Sequence, residues 1–300
     1  MKTTTFLAHA LGILTVCVWG VTFVNTRCAV DAGLHPTELF VLRFAIAYIC
    51  IWLLTLCAHK RHSLWADSLH DELIFIALGI TGGSLYFTTE NFAVKYTLVD
   101  NVSFIVCTAP LITLILARIF TRSVHFTPRL ILGSSLAILG IAVVIFNGHF
   151  VLQLHPKGDL LALAAAVCWA LYSLLIKKVS NNRYDAVFIT RKVFAYGLLT
   201  ALPIFLFDPW HVTPDLLAQP SVYANLIFLG LIASFICFVT WSWVIKQIGS
   251  LKTSNYVYLN PCTTVIASAL LLNEQMTTLA IIGSALILLG VFLVNTTKLN

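Results

Sequence analysis

A chain of 300 residues that is 59% hydrophobic and only 10% charged, with a mean hydropathy of +0.94, lacks the polar residues of a soluble domain, where about 25% are charged. Its 18 basic and 12 acidic residues are spread unevenly between connections, which reads as membrane topology and contact with anionic lipid, not as a nucleic-acid footprint. The composition is that of an all-α integral membrane protein.

Windows of about 20 residues predict ten transmembrane helices, over Phe6–Thr26, Pro36–Ala58, Leu73–Tyr96, Leu98–Phe120, Pro128–Phe146, Gly158–Lys177, Ala186–Leu206, Val222–Lys246, Leu251–Leu272 and Thr277–Thr296. The first run, though preceded by Lys2, is too long for a signal-peptide core and has a counterpart later in the chain, so it is expected to be a span. The connections are short. The longest, His59–Glu72 and Phe207–Ser221, leave no room for a soluble domain.

Two spans break their own pattern. Pro110 interrupts the fourth and Pro261 the ninth, each removing a backbone donor and crowding the carbonyl of the preceding turn. Around Pro261 stand Ser254, Asn255, Tyr256, Tyr258 and Asn260, polar groups able to re-satisfy the freed backbone where they face protein or water. Broken helices at matching places in two halves mark the binding site of many transporters.

The halves do match. Trp19 aligns with Trp169, Leu78-Gly79 with Leu229-Gly230, Lys95 with Lys246, and Ala109-Pro110 with Asn260-Pro261. Leu132 to Gly140 aligns with Ile282 to Gly290. The offset is 150 or 151 residues throughout. Two repeats are therefore expected, 1–149 and 150–300. Five spans in each is an odd number, so the copies are expected to be inverted. Twelve of the basic residues fall on the side of the N-terminus and three (Arg27, Lys95, Lys157) on the other, which predicts cytoplasmic termini in the cell inner (plasma) membrane. Gly133 and Gly140, with Gly283 and Gly290, are expected to permit close helix packing, within the molecule rather than between copies. Seven of the eight cysteines lie in apolar stretches without a C-x-x-C pair, as buried small hydrophobes.

At this point a resemblance emerges. The motifs Trp19-Gly20-Val21-Thr22-Phe23, Pro36 to Arg43, the prolines of the fourth and ninth spans, and Leu272-Asn273-Glu274-Gln275 occur in order over nearly the whole chain. Together they resemble the EamA-like branch of the drug/metabolite transporter superfamily. The resemblance implies a ten-helix carrier with a central cavity that exports amino acids, other metabolites or drugs by alternating access. The first half departs from it with Arg118-Ile119-Phe120-Thr121-Arg122 where a counterpart of Glu274 is expected, and the second with Ala170 after Trp169.

Glu90 is the most informative residue. It lies about six residues, roughly 9 Å, inside the third span. Arg43 lies at a similar depth in the second. Three readings stand: a buried Arg43–Glu90 ion pair, binding of substrate or a coupling proton or ion by Glu90, and snorkelling at the lipid edge. Trp19 and Thr22 share a helix face, as do Trp169 and Tyr172, and inversion would turn these faces toward each other as an aromatic cavity wall. Asn255 and Tyr258 share a face beside the second break. The expected substrate-binding set is thus Trp19, Thr22, Glu90, Trp169, Tyr172, Asn255 and Tyr258. Arg43, Pro110, Asn260 and Pro261 are the structural or hinge set. Arg191 and Lys192 are expected to snorkel to the cytoplasmic surface.

Other functions fit less well. No Walker-type loop offers ATP coupling, and no HExxH or GxSxG pattern offers catalysis. Every histidine lies near a span end or in a connection, so no metal or other cofactor is expected. An importer, an intramembrane enzyme and a channel remain as alternatives. Saturation and counterflow of substrate separate a carrier from a channel.

Overall fold

The computed structural model describes residues 2–57, 63–120, 127–146, 155–179, 184–206, 209–263 and 277–296. Among these residues every regular element is helical. In chain order they are α1 (Lys2–Asp31), α2 (Pro36–Cys57), α3 (Leu69–Gly79), a π-helical segment (Ile80–Ser84), α4 (Leu85–Tyr96), α5 (Val99–Val106), α6 (Ala109–Phe120), α7 (Pro128–Phe146), α8 (Pro156–Val179) and α9 (Ala186–Ala201). A 3-10 turn (Leu202–Leu206), α10 (Pro214–Leu217), α11 (Pro220–Ile227), a second π-helical segment (Phe228–Ile236), α12 (Cys237–Ile248), α13 (Ser250–Ser254), a 3-10 turn (Asn255–Leu259), a helical turn over 260–263 and α14 (Thr278–Thr296) follow. Counting through the π segments, seven helices among the described residues are long and apolar enough to cross a membrane, and the helices at Pro128–Val143 and Ile281–Thr296 are apolar but shorter. The end of the expected ninth span and the whole of Leu272 to Gln275 lie outside the described residues.

The departures from the expected spans have local causes. The fourth is two helices, because the chain turns at Cys107 and Thr108 and Pro110 takes a place in the first turn of α6, where its missing N–H is no loss. The third starts earlier, at Leu69, because the Ser68 hydroxyl accepts the Asp71 N–H as an N-cap. The seventh tightens into a 3-10 turn at Leu202-Pro203, and the connection after it holds the short helix α10, capped by Thr213.

The π segments lie one repeat length apart, in the third and eighth spans. α9 packs on the first and α2 on the second. Each junction carries a serine bond: Ser84 Oγ lies 2.7 Å from Thr200 Oγ1, and Ser234 Oγ accepts Arg43 Nε at 3.0 Å. The proline breaks also meet, with the Cys107 thiol 3.6 Å from the Val257 carbonyl.

The glycines of α7 and α14 seam these two helices together antiparallel. A Cβ on Gly133 would lie 2.9 Å from the Gly290 carbonyl oxygen, and one on Gly140 would lie 2.6 Å from that of Gly283. The expected close packing is thus made within the molecule. Only a residue without a side chain lets two helix backbones approach this far in an apolar medium.

Candidate functional site

Elements of both halves surround a small, partly open cavity lined by Trp19, Thr22, Phe23, Arg43, Tyr86, Phe87, Glu90, Val106, Trp169, Phe238, Val257 and Asn260. Three pairs in this lining are repeat equivalents: Trp19 with Trp169, Phe87 with Phe238, and Val106 with Val257. The wall is therefore quasi-symmetric in its apolar part. Its charged groups are not, since Arg43 and Glu90 both come from the first half.

The aromatic wall is one contiguous cluster. Trp19 stands edge-to-face on Trp169 at 5.2 Å between ring centroids, with Trp241 at 4.9 Å and Phe238 at 5.9 Å. Tyr86 packs on Trp169 at 5.1 Å. Such offset and edge-on arrangements suit ring quadrupoles. Trp19 is further fixed by donating Nε1–H to the Ala233 carbonyl at 2.9 Å, a group in the second π segment. The Thr22 hydroxyl bonds back to the Trp19 carbonyl at 2.7 Å. Gly20 has a packing reason beside Trp19, because a Cβ there would lie 2.8 Å from the Asn260 carbonyl oxygen. The Trp-Gly pair thus presents a ring to the cavity while seating α1 against the second break.

Arg43 and Glu90 do not form the direct ion pair that their similar depth suggested. Both are buried, 2% and 6% exposed. The ion pairs within 4.0 Å include Arg27–Asp31 and Lys192–Glu72 but not this one. Arg43 instead donates Nε–H to Ser234 and lays its guanidinium over the Phe87 ring at 4.3 Å. Glu90 accepts the Tyr86 hydroxyl at 3.0 Å through Oε1. The two side chains border the same cavity without touching.

Of the expected substrate-binding residues, Trp19, Thr22, Glu90 and Trp169 line this cavity; Tyr172, Asn255 and Tyr258 do not. Tyr172 is fully buried, packed on Trp169 and against Gly82. The 3-10 turn at Asn255–Leu259 rotates the second break, so that Val257 and Asn260 face the cavity while the Asn255 amide donates to Asn295 of α14 at 3.3 Å. Of the hinge set, Arg43 and Asn260 line the cavity, whereas Pro110 and Pro261 stand at the breaks behind it. Sequence reasoning missed Tyr86, Phe87 and Phe238. Tyr86 lies one helical turn before Glu90, and Phe238 is the repeat equivalent of Phe87, so both were within reach of the periodicity.

Arg191 and Lys192 do not snorkel. Both are buried, 3% and 5% exposed. Arg191 donates to the Ser63 carbonyl and stacks on Trp52. Lys192 Nζ bonds Glu72 Oε1 at 2.5 Å, a carboxylate that also takes the Tyr196 hydroxyl and, at 2.7 Å, the Ala66 N–H. The tethering carboxylate Glu72 comes from α3, in the third span and the other half of the chain, a partner that spacing along α9 cannot reveal.

The profile of the EamA-like transporter family matches residues 6–146 and again 156–296. An "Uncharacterized transporter" of Archaeoglobus fulgidus is 27% identical over 94% of this chain and 96% of its own. A "Probable terminal-alkyne amino-acid exporter" of Streptantibioticus cattleyicolor is 28% identical over 94% and 91%. A "Probable amino-acid metabolite efflux pump" of Escherichia coli is 24% identical over 94% and 93%. One solved structure, described only as a crystal structure of a protein, has the same fold, with a TM-score of 0.73 at 18% identity over 96% of both chains. With two tandem matches filling almost all its length, and relatives named as transporters rather than enzymes, this multi-pass membrane protein belongs to the EamA-like transporter family.

Proposed function

We propose that the protein is a secondary carrier that exports amino acids, or related small metabolites or drugs, by alternating access through the central cavity. The observation that carries this reading is a cavity lined from both halves, with an aromatic wall of repeat-equivalent residues and a few polar groups, the composition of a site for an amphipathic small molecule. The relatives named as amino-acid exporters favour that substrate class and that direction. Substrate contacts are assigned to Trp19, Thr22, Glu90 and Trp169 in the wall, with Tyr172, Asn255 and Tyr258 supporting it from behind. Coupling to a proton or other ion is assigned to Glu90.

The architecture we propose is ten membrane-spanning helices in two inverted five-helix repeats, 1–149 and 150–300, with both termini on the cytoplasmic side of the inner (plasma) membrane. The antiparallel seam of α7 and α14 supports it, since equivalent last helices of inverted repeats must run in opposite directions. The paired π segments and proline breaks, with Pro110 and Pro261 as hinges, supply equivalent flexible points in each half.

The test compares small molecules in the spent medium of cells making the unmodified protein or a Trp19→Ala, Glu90→Gln variant at equal membrane levels. A compound enriched outside only with the unmodified protein names the substrate and supports export. Its selective depletion from the medium points to import. No difference across several nitrogen sources overturns metabolite export.

A further inference from the structure

A buried charge needs a partner. Taking an ion out of water is costly unless an opposite charge and hydrogen bonds compensate. Arg43 and Glu90 are both more than nine-tenths buried, yet each is only partly satisfied by the protein. Guanidinium carries five N–H donors, and among the described residues only Nε–H has a protein acceptor, Ser234. Both terminal amino groups of Arg43 are left for the cavity. Glu90 holds one neutral donor, Tyr86, on Oε1, and Oε2 is left. Both side chains line the same space and stay more than 4.0 Å apart. Direct pairing would have satisfied both; the fold holds each on a different anchor, Arg43 on Ser234 and Phe87, Glu90 on Tyr86.

We infer that this gap is the recognition site for a zwitterion: Arg43 takes the carboxylate of the substrate through its terminal N–H groups, and Glu90 takes the ammonium through Oε2. The inference rests on the amino-acid reading above and deepens it by assigning one cavity residue to each end of the ligand. A planar guanidinium presents two parallel N–H groups that match the two oxygens of a carboxylate. A ligand bearing both charges neutralises both protein groups at once. A cation alone leaves Arg43 unpaired, and an anion alone leaves Glu90 unpaired. The site therefore discriminates through the protein charge that the wrong ligand strands, a stronger filter than apolar fit. The apolar side chain of the ligand is left to the rings of Trp19, Trp169 and Phe238, which makes large apolar amino acids the suited class. Arg43 thus passes from a hinge residue to a specificity-determining one. Its bond to Ser234 also links ligand charge to the second π segment, on which α2 packs.

The test measures quenching of tryptophan fluorescence in the purified protein by L-leucine and L-phenylalanine. Each is compared with its methyl ester, which lacks the carboxylate charge, and its N-acetyl derivative, which lacks the ammonium. The unmodified protein is expected to bind at least one free amino acid ten-fold or more tighter than both of its derivatives. Arg43→Gln is expected to bring the preference over the ester below two-fold while keeping that over the N-acetyl form. Glu90→Gln is expected to do the reverse. Should Arg43→Gln fail to fold, Arg43→Lys, which keeps the charge without the two-pronged geometry, is expected to weaken the ester preference several-fold. Equal binding of amino acid and ester by the unmodified protein overturns the inference, and so does loss of both preferences together in either variant, while leaving amino-acid binding intact. No binding of any probe to the unmodified protein overturns the amino-acid reading and this inference with it.

Discussion

The Lys192–Glu72 bond ties the first turn of α3 to α9, and its contribution can be worked out from its partners. The two side chains are 6% and 11% exposed, with 2.5 Å between Nζ and Oε1. Removing one member of a buried pair leaves the other charge uncompensated, at about 3–5 kcal/mol. Lys192→Met leaves the Glu72 carboxylate its bonds from Tyr196 and the Ala66 N–H, so the lower end, about 3 kcal/mol, applies. Glu72→Gln leaves an ammonium whose remaining neighbours are the rings of Trp65, Phe188 and Tyr196, 5.1–5.8 Å away. Cation–π contacts there recover only about 0.5–2 kcal/mol, so the loss is again about 3 kcal/mol. Replacing both at once strands no charge, and the double variant is expected to lose only about 2 kcal/mol, far less than the sum. Thermal unfolding in detergent reads each single loss as a fall of roughly 6–12 °C. Additive losses in the double variant, or single losses below about 1 kcal/mol, would show the pair to be no more than a surface contact.

Three further outcomes are expected. Gly140→Ala in an ordinary helix gains about 1 kcal/mol, but here the new Cβ meets the α14 backbone, so a net loss of about 1–2 kcal/mol is expected; a raised unfolding temperature would refute the seam. Trp19→Phe keeps a ring in the cluster but strands the Ala233 carbonyl, so it is expected to lower stability by about 1–2 kcal/mol and weaken substrate affinity; unchanged affinity in a binding titration argues against a place for Trp19 in the wall. Glu90→Gln is expected to abolish transport or its pH dependence at normal expression, as followed by flux into proteoliposomes over a range of pH. Normal, pH-responsive flux removes Glu90 from coupling, and failure to fold assigns it to structure.

Of the repeat-equivalent lining residues, Trp19 and Trp169 were legible because duplication leaves a fixed offset; the same offset relates Phe87 to Phe238 and Val106 to Val257, but nothing along the chain marked those two pairs as lining. The glycine seam was legible because small residues seven apart on an apolar helix have few uses other than close packing. Sidedness within a distorted turn was not. Asn255 and Tyr258 share a face on any regular helix, but the 3-10 turn that contains them turns Val257 and Asn260 to the cavity instead.

By itself, then, the sequence determined the class of the molecule, the rhythm of its spans, the duplication and the two breaks, all properties of composition and of distance along one chain. Only the tertiary structure decided the pairings. That Arg43 rests on Ser234 and Phe87 and not on Glu90, and that Lys192 is held by Glu72 rather than reaching for water, depends on which helices become neighbours and at what rotation. Depth in a membrane is additive along a helix, at about 1.5 Å per residue, so one chain can specify it. Azimuth is set by packing against other helices, and a single helix carries no record of its partners.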